Sequence, residues 1–370
     1  MVQLTPQMLG TRIRSARERQ GLSQQALAEA VGLDRTMINR VETGQRKLTA
    51  LELAAIADTL NTRMQAFFSA EIPSLASHRS AQGLDTADSA VDHLLAAVAA
   101  DVEFLHRLRP FDAFTDREAW QRPETEDDAE TMAMSARREL GYREGEPARD
   151  LQDRMATIGL LVFSQDFGAD SADAGTMLLR RGGISIVNSA SKVGRRRLSA
   201  LHELGHYLIA DDYTVDWRTA RSGRDVEGTL DRFARAVLLP SQTLVQGWQE
   251  ETRTGSVRDA AVKITGEFHV DMSTLARRLQ ELDLVNPSTA NEVRSTQTTR
   301  ADMIEHDLYP SDEMEGTTQP RMYQKHVLRL YKEELLSAER ALGLLGGTLD
   351  HADLPPLPAR QEHALWEYVS

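Results

Sequence analysis

The spacing of apolar positions divides this chain into stretches of different character. Over residues 9–68 short apolar runs at helical spacing are cut by tight turns. Leu9 and Ile13 lie in LGTRIRSARERQ, which stops at Gly21, and SQQALAEAV follows with Ser23 as N-cap and Leu27 and Val31 facing inward. Gly32-Leu33 make a turn, Asp34 is placed to cap RTMINRVE, and ALELAAIADTL closes a helical bundle with Phe67-Phe68 over its end. Residues 71–90 are small and polar and read as a linker. Val91, Leu94, Leu95, Val98, Val102 and Leu105 then recur at helical spacing. That face either pairs with a second copy of the chain, giving a homodimer, or packs on the next domain. The acidic run at 122–132 breaks the pattern until Ala129 opens another helix.

From residue 129 the expected order is helix, helix, strand, hairpin, helix. AETMAMSARREL and ARDLQDRMATIG are helical by period, LLVFSQ is a short buried strand, and TMLLRRGGISIVN is a hairpin about Gly182-Gly183. RRRLSALHELGHYLIA has the apolar spacing of a buried helix. In VEGTLDRFARAVLLP, Leu230, Phe233, Ala234, Val237 and Leu238 mark a further amphipathic helix, with Glu227 and Asp231 on its opposite face. A helical pair spans AAVKITGEFHVDMSTLARRLQELDLV, the second helix beginning at Ser273; its acidic surroundings point to a structural role rather than to DNA. Residues 286–320, rich in Ser, Thr, Asn, Pro and acids, read as a flexible connector, and 321–370 as a helical C-terminal segment whose apolar side something covers.

Composition narrows the chemistry. With 370 residues, 41% of them hydrophobic, the chain has material for two or three domains. It has no cysteine, which excludes disulfides, cysteine zinc fingers, iron–sulfur ligation and thiol nucleophiles and leaves any metal to His and carboxylate donors. No apolar stretch is long enough to span a bilayer, and MVQLTPQMLGTRIRSARERQ lacks the basic-then-apolar order of a secretory signal, so a cytoplasmic protein with no membrane contact is expected. The net charge of −13 is uneven: residues 1–70 carry +3 and the remainder −16. Any DNA contact therefore belongs to the N-terminal stretch.

The sharpest signal is His202-Glu203-Leu204-Gly205-His206, an HExxH pattern. On a helix His202 and His206 stack on one face and reach one ion, with Glu203 beside them as candidate general base. The bland alternative, two core histidines, leaves Glu203 charged in an apolar helix, which is costly unless it is paired or linked to a metal. A hydrolytic zinc site takes a third protein ligand. Asp212 holds the last position of the longer HExxHxxGxxH pattern, but Ile209 stands where that pattern needs glycine. Glu227 is the other candidate, with Asp231 four residues on to accept the free N–H of a ligand histidine; on spacing alone both are equally well solvated carboxylates at a helix start.

Two resemblances add to this. GLSQQALAEAVGLDRTMINRVETGQRKLT resembles the helix-turn-helix of the XRE family, of Cro and lambda-repressor type, over about 60 residues. It implies that the helix after the turn enters the major groove of double-stranded DNA, with Arg35, Thr36, Asn39 and Arg40 near base edges or phosphates and Gln24 at the start of the preceding helix. A helical interaction module with solvated arginines is the plainer alternative. RRRLSALHELGHYLI and EGTLDRFARAVLLP together look like the ImmA/IrrE metallopeptidases over roughly 129–285, with Leu230 and Asp231 where that family typically has alanine and asparagine. The resemblance implies zinc, with manganese as the alternative, on His202, His206 and Glu227, and Glu203 as base; Tyr207 is a candidate near the oxyanion.

The expected fold is mainly α with α+β character: a helix-turn-helix domain (1–70), a linker and amphipathic helix (71–128), a zincin-like peptidase domain with a small sheet (129–285), a connector (286–320) and a helical tail (321–370). The expected function is a DNA-binding regulator whose zinc endopeptidase cleaves an XRE-type repressor controlling stress, prophage or mobile-element genes. Its rivals are a non-cleaving transcription factor that senses a ligand or metal, and an antitoxin-like interaction protein.

Overall fold

The computed structural model describes residues 5–20, 22–60, 64–67, 75–79, 85–168, 172–210 and 223–357. They fall into two compact units, Met1–Pro73 and Ser74–Ser370.

The first unit contains α1 (Pro6–Arg19), α2 (Gln24–Ala30), α3 (Arg35–Glu42), α4 (Ala50–Thr59) and a 3-10 turn, Met64–Phe67. Hydroxyls start three of these helices: Thr5 accepts from the Met8 N–H, Ser23 from Ala26, and Thr49 from Glu52, whose carboxylate returns a bond to the Thr49 N–H. Asp34 holds the N-cap position of α3 but makes no side-chain cap bond. Gly32 takes φ +67°, the left-handed conformation that the α2–α3 turn requires. Ile13, Leu27, Ile38, Ile56, Leu60 and Phe67 form the core, with Leu9 and Val31 packed at its margin. A Cβ on Gly10 would stand 2.3 Å from the Val41 carbonyl oxygen, so α1 and the end of α3 touch backbone to backbone. Gly21 and Phe68 lie outside the described residues.

In the second unit β1 (Leu75–Arg79) precedes α5 (Asp85–Leu108), α6 (Glu126–Glu139) and α7 (Leu151–Thr157). β2 (Leu160–Gln165), β3 (Ala174–Leu178) and β4 (Gly183–Asn188) follow. The sheet has the order β1-β3-β4-β2: β3 and β4 form the expected hairpin, β2 runs parallel to β4 with Leu160 opposite Gly183, and β1 runs antiparallel to β3 with Leu75 opposite Leu178. Then come α8 (Val193–Leu208), α9 (Gly223–Leu238), α10 (Ser241–Thr254), α11 (Val257–Phe268) and α12 (Met272–Glu281). Helix α8 lies against the β3–β4 side of the sheet, and α9 packs on both α8 and α6.

Several expectations need correction. The stretch read as a linker supplies β1, because backbone pairing asks little of side chains. Helix α6 starts at Glu126 rather than at Ala129; the acidic run is its first turn, where Glu126, Asp127 and Asp128 meet the positive end of the helix and Asp128 bonds back to the Thr125 N–H. The segment 286–320 is no loose connector. It forms α13 (Pro287–Ser295) and α14 (Arg300–Glu305), buries Ala290, Val293 and Met314, and ties Glu313 to Arg197 of α8. Its polar composition misled because a few inward residues suffice to dock it, while Ile304 and Tyr309 stay exposed. The α5 face that offered self-pairing is covered within this unit: Val91, Leu95, Val102 and Leu105 are buried, and the helix packs on β3 and β4.

The tail contributes α15 (Arg321–Lys332) and α16 (Ala338–Leu344). Their apolar side is covered by the same unit: Tyr323 meets Phe163 of β2 edge-on at 5.0 Å, and Arg340 pairs with Asp101 of α5. The second helix of the 257–285 pair is turned inward, with Arg278 fully buried, bonded to Glu130 and donating to the Leu239 carbonyl.

Candidate metal centre and nucleic-acid face

The metal motif is set by how closely α8 and α9 approach. A Cβ on Gly205 would come within 2.9 Å of Leu230 and 3.3 Å of Phe233, so this glycine admits the apolar stripe of α9 against the HExxH helix. Leu230 and Asp231 follow Glu227 by three and four residues, so they share its side of the helix. Glu227 and Asp231 therefore adjoin the packed stripe instead of opposing it, and both reach His202.

There the donors converge. Nε2 of His202 is 3.0 Å from Oε2 of Glu227 and 3.1 Å from Nε2 of His206, and His206 Nε2 is 3.6 Å from Glu227 Oε1. Ligand atoms arranged tetrahedrally about 2.0–2.1 Å from a zinc ion stand about 3.3 Å apart, so this donor set matches such an ion. His202, His206 and Glu227 form the metal-competent group of His and carboxylate side chains among the described residues. On the far side of the ring, Nδ1 of His202 is 2.9 Å from Oδ1 of Asp231. The histidines are buried, whereas the Glu227 side chain is 42% exposed, so the group opens to solvent on the α9 side.

Electrostatics follow from that burial. Burial opposes charge on His202, yet the bonded carboxylates of Asp231 and Glu227, with the charge of Glu203, outweigh it and lift the ring from 6.5 to about 9. Burial alone would raise the Glu227 carboxyl, but its bond to His202 and the nearby His206 hold it below the ordinary value. Glu203 is fully buried, and neither carboxylate oxygen has a hydrogen-bond partner among the described residues. An unpartnered buried carboxylate is a large cost. It fits a site whose polar partner is a water held on an adjacent cation.

Two further candidates fare differently. Tyr207 does not point to this group: its hydroxyl donates to the Ile158 carbonyl at 2.9 Å, its ring lies against Gly183, and burial pushes its phenol up to about 12. Tyr207 follows His206 directly, and one residue turns a helix by about 100°, which carries the ring toward the sheet. Asp212 lies outside the described residues. Sequence reasoning missed Arg197, five residues before His202 on the same helix, which is 1% exposed, bonded to Glu313 and the Ala148 carbonyl, and anchors α8 from beneath. Its only signal was a third arginine in RRR falling on the apolar side of the helix.

In the first unit Arg35, Thr36, Asn39 and Arg40 are exposed together on α3. Gln24 is half-buried, and its amide donates to Asn39 Oδ1 at 3.4 Å and to Glu42 Oε2 at 2.8 Å. Glu42, 3% exposed, is the hub: Arg17 Nε donates to its Oε1 at 2.6 Å. Burial would raise the Glu42 carboxyl, but bonds from Arg17 and Gln24 lower it. Arg17, the partner of Glu42 across 25 residues, had no signal in the sequence pattern.

A helical unit presenting a solvated α3, joined to a unit in which an HExxH helix meets a carboxylate-bearing helix, defines a regulator with a DNA-binding domain and a peptidase-like domain. Residues 13–67 match the helix-turn-helix family model, and residues 157–280 match that of the IrrE N-terminal-like domain, a peptidase family. The chain is thus a fusion of an XRE-type helix-turn-helix with an ImmA/IrrE-like domain. Comparison with curated proteins gives no match. Among the described residues no helix is long and apolar enough to cross a membrane.

Proposed function

We propose that this chain is a cytoplasmic zinc-dependent endopeptidase tethered to operator DNA, and that its substrate is an XRE-type repressor of stress, prophage or mobile-element genes. The observation that carries the reading is Glu203, a buried carboxylate with no hydrogen-bond partner among the described residues, beside three converging donors. His202, His206 and Glu227 hold the ion, zinc in preference to manganese because the donors are two imidazoles and one carboxylate. Such an ion supplies Lewis acidity toward a peptide carbonyl and lowers the pKa of a water molecule. Glu203 takes the proton from that water and returns it to the leaving amine. Asp231 holds the His202 ring by its Nδ1–H, and the exposed flank of Glu227 is the side from which a polypeptide enters.

The DNA head needs the side chains of α3 free, and Arg35, Thr36, Asn39 and Arg40 are exposed there for base edges and phosphates, with Gln24 bracing Asn39. The test is to incubate the zinc-loaded protein with XRE-type repressors encoded beside it and to look for defined fragments. Release of fragments that a chelator abolishes supports the peptidase; intact repressors with the metal bound refute it.

A further inference from the structure

The two edges of the sheet are finished differently. On β2, Ser164 exchanges backbone bonds of 3.0 Å with Thr318, and its hydroxyl donates to the carbonyl of the buried Met314 at 2.6 Å, so a single bridge to a later segment of the same unit meets that edge. On β3 the closing segment is β1, which pairs antiparallel over five residues from Leu75↔Leu178 to Arg79↔Ala174. β3 is the strand beside the metal helix: α8 packs on β3 and β4, and β1 also runs close to α8.

β1 has few marks of a committed strand. LASHR lacks β-branched and aromatic residues, and it sits in a small, polar stretch. It pairs with β3 through a backbone ladder, a pattern that any extended polypeptide reproduces. It also begins two residues after Pro73, the last residue of the DNA-binding unit, so it is the joint between the two functions.

We propose that the outer edge of β3 is the docking track for an extended polypeptide substrate of the metal centre, and that β1 is the chain's own occupant of that track, excluding substrate until it is withdrawn. This rests on the peptidase reading for its purpose but not for its test. The partner class is an unfolded or extended protein segment of at least the five residues that β1 pairs, added antiparallel to β3. Because β1 adjoins the DNA-binding unit, an event at that unit reaches the track through the chain itself.

The experiment uses full-length, zinc-loaded Glu203→Gln protein, with and without the double substitution Ala76→Pro and Ser77→Pro. Neighbouring residues of an antiparallel strand alternate in facing their N–H toward the partner, so two adjacent prolines remove at least one ladder bond whichever register holds. Hydrogen exchange at residues 174–178 and anisotropy of a labelled peptide carrying residues 74–80 are read together with zinc content. The expected result is exchange at β3 roughly tenfold or more faster in the proline variant, restored by the peptide, with zinc unchanged. The peptide binds the variant and not its parent. Equal exchange in the two chains, failure of the peptide to restore protection, or loss of zinc with β3 protection overturns the proposal, the last by showing β1 to be a structural strand. Peptide docking in a protein whose Glu203 form cuts nothing leaves the track standing and removes the peptidase reading. Cutting by a Glu203 chain whose β3 neither opens nor takes the peptide does the reverse.

Discussion

Asp231 fixes the proton of His202: its Oδ1 lies 2.9 Å from Nδ1, and a carboxylate only accepts, so Nδ1 carries the hydrogen and Nε2 faces Glu227 and His206. Asp231→Ala should therefore weaken zinc binding by about 10–100-fold, as loss of an orienting partner does elsewhere. Glu227→Ala removes a donor and should weaken binding further, and His202→Ala or His206→Ala should abolish it. Competition against a coloured chelator ranks the variants. An Asp231 variant weaker than the Glu227 variant reverses the assigned roles.

Gly205 tests the approach of the two helices. Alanine there gains about 1 kcal/mol of helix propensity over glycine. Its Cβ meets Leu230 at 2.9 Å and Phe233 at 3.3 Å, and both are buried, so that gain is spent on repacking and Gly205→Ala should be near neutral. Gly205→Val adds two more carbons and should destabilise by about 1–3 kcal/mol, with a matching fall in zinc affinity as α9 is pushed back. Denaturation of the metal-free and loaded protein separates the two effects. A valine variant as stable and as zinc-competent as the parent would show that the helices do not need this contact.

How much of this was legible in the sequence depends on the kind of interaction. The HExxH helix and the four helices of the head were readable because a 3.6-residue period and capping hydroxyls such as Ser23 and Thr49 are local facts. The third donor was open on spacing alone, and only the fold brings the Glu227 carboxylate across to His202. Gly205 reads as a helix-weakening residue until α9 lies on it. The strand at 75–79 carries no local signal because it lies in a small, polar stretch without β-branched or aromatic residues, and the helices in 286–320 hid in a polar composition because a few inward residues, such as Ala290 and Val293, suffice to dock them.

The capping box of α4 gives a pH signature. Bonds from Arg46 and from the Thr49 backbone and hydroxyl hold the Glu52 carboxyl down from 4.5 to about 2. A carboxyl lowered in the folded state stabilises fully above its unfolded value, and the contribution is lost as pH falls through the folded one. The stability gap between wild type and Glu52→Gln should be constant above pH 4.5 and should close between about 4.5 and 2. The methyl signals of Ile13, Ile38 and Ile56, all core residues of this unit, report it. A gap that persists at pH 2 rules out the ionised cap.

On the DNA face, Arg35→Ala and Asn39→Ala should each lose about 1–3 kcal/mol of discrimination at particular base pairs, whereas Arg40→Ala should weaken all sequences alike and flatten the salt dependence. Gln24→Ala tests the bracing of Asn39: it should lower discrimination at the same base pair as Asn39→Ala, with less than additive loss in the double variant. Full additivity would make the two residues independent.

The last prediction separates cutting from sensing at the metal centre. Glu203 touches no hydrogen-bond partner among the described residues, so Glu203→Gln should leave the fold, the three donors and the DNA head intact while removing the base. The variant should bind zinc and operator DNA as wild type does, yet cleave no repressor and fail to switch the target genes. A sensor gives a different pattern: it needs His202, His206 and Glu227 for occupancy but has no use for a base. If Glu203→Gln regulates normally in cells while His202→Ala does not, occupancy of the centre carries the signal. The burial of an unpartnered carboxylate would then have to be explained by something other than proton transfer.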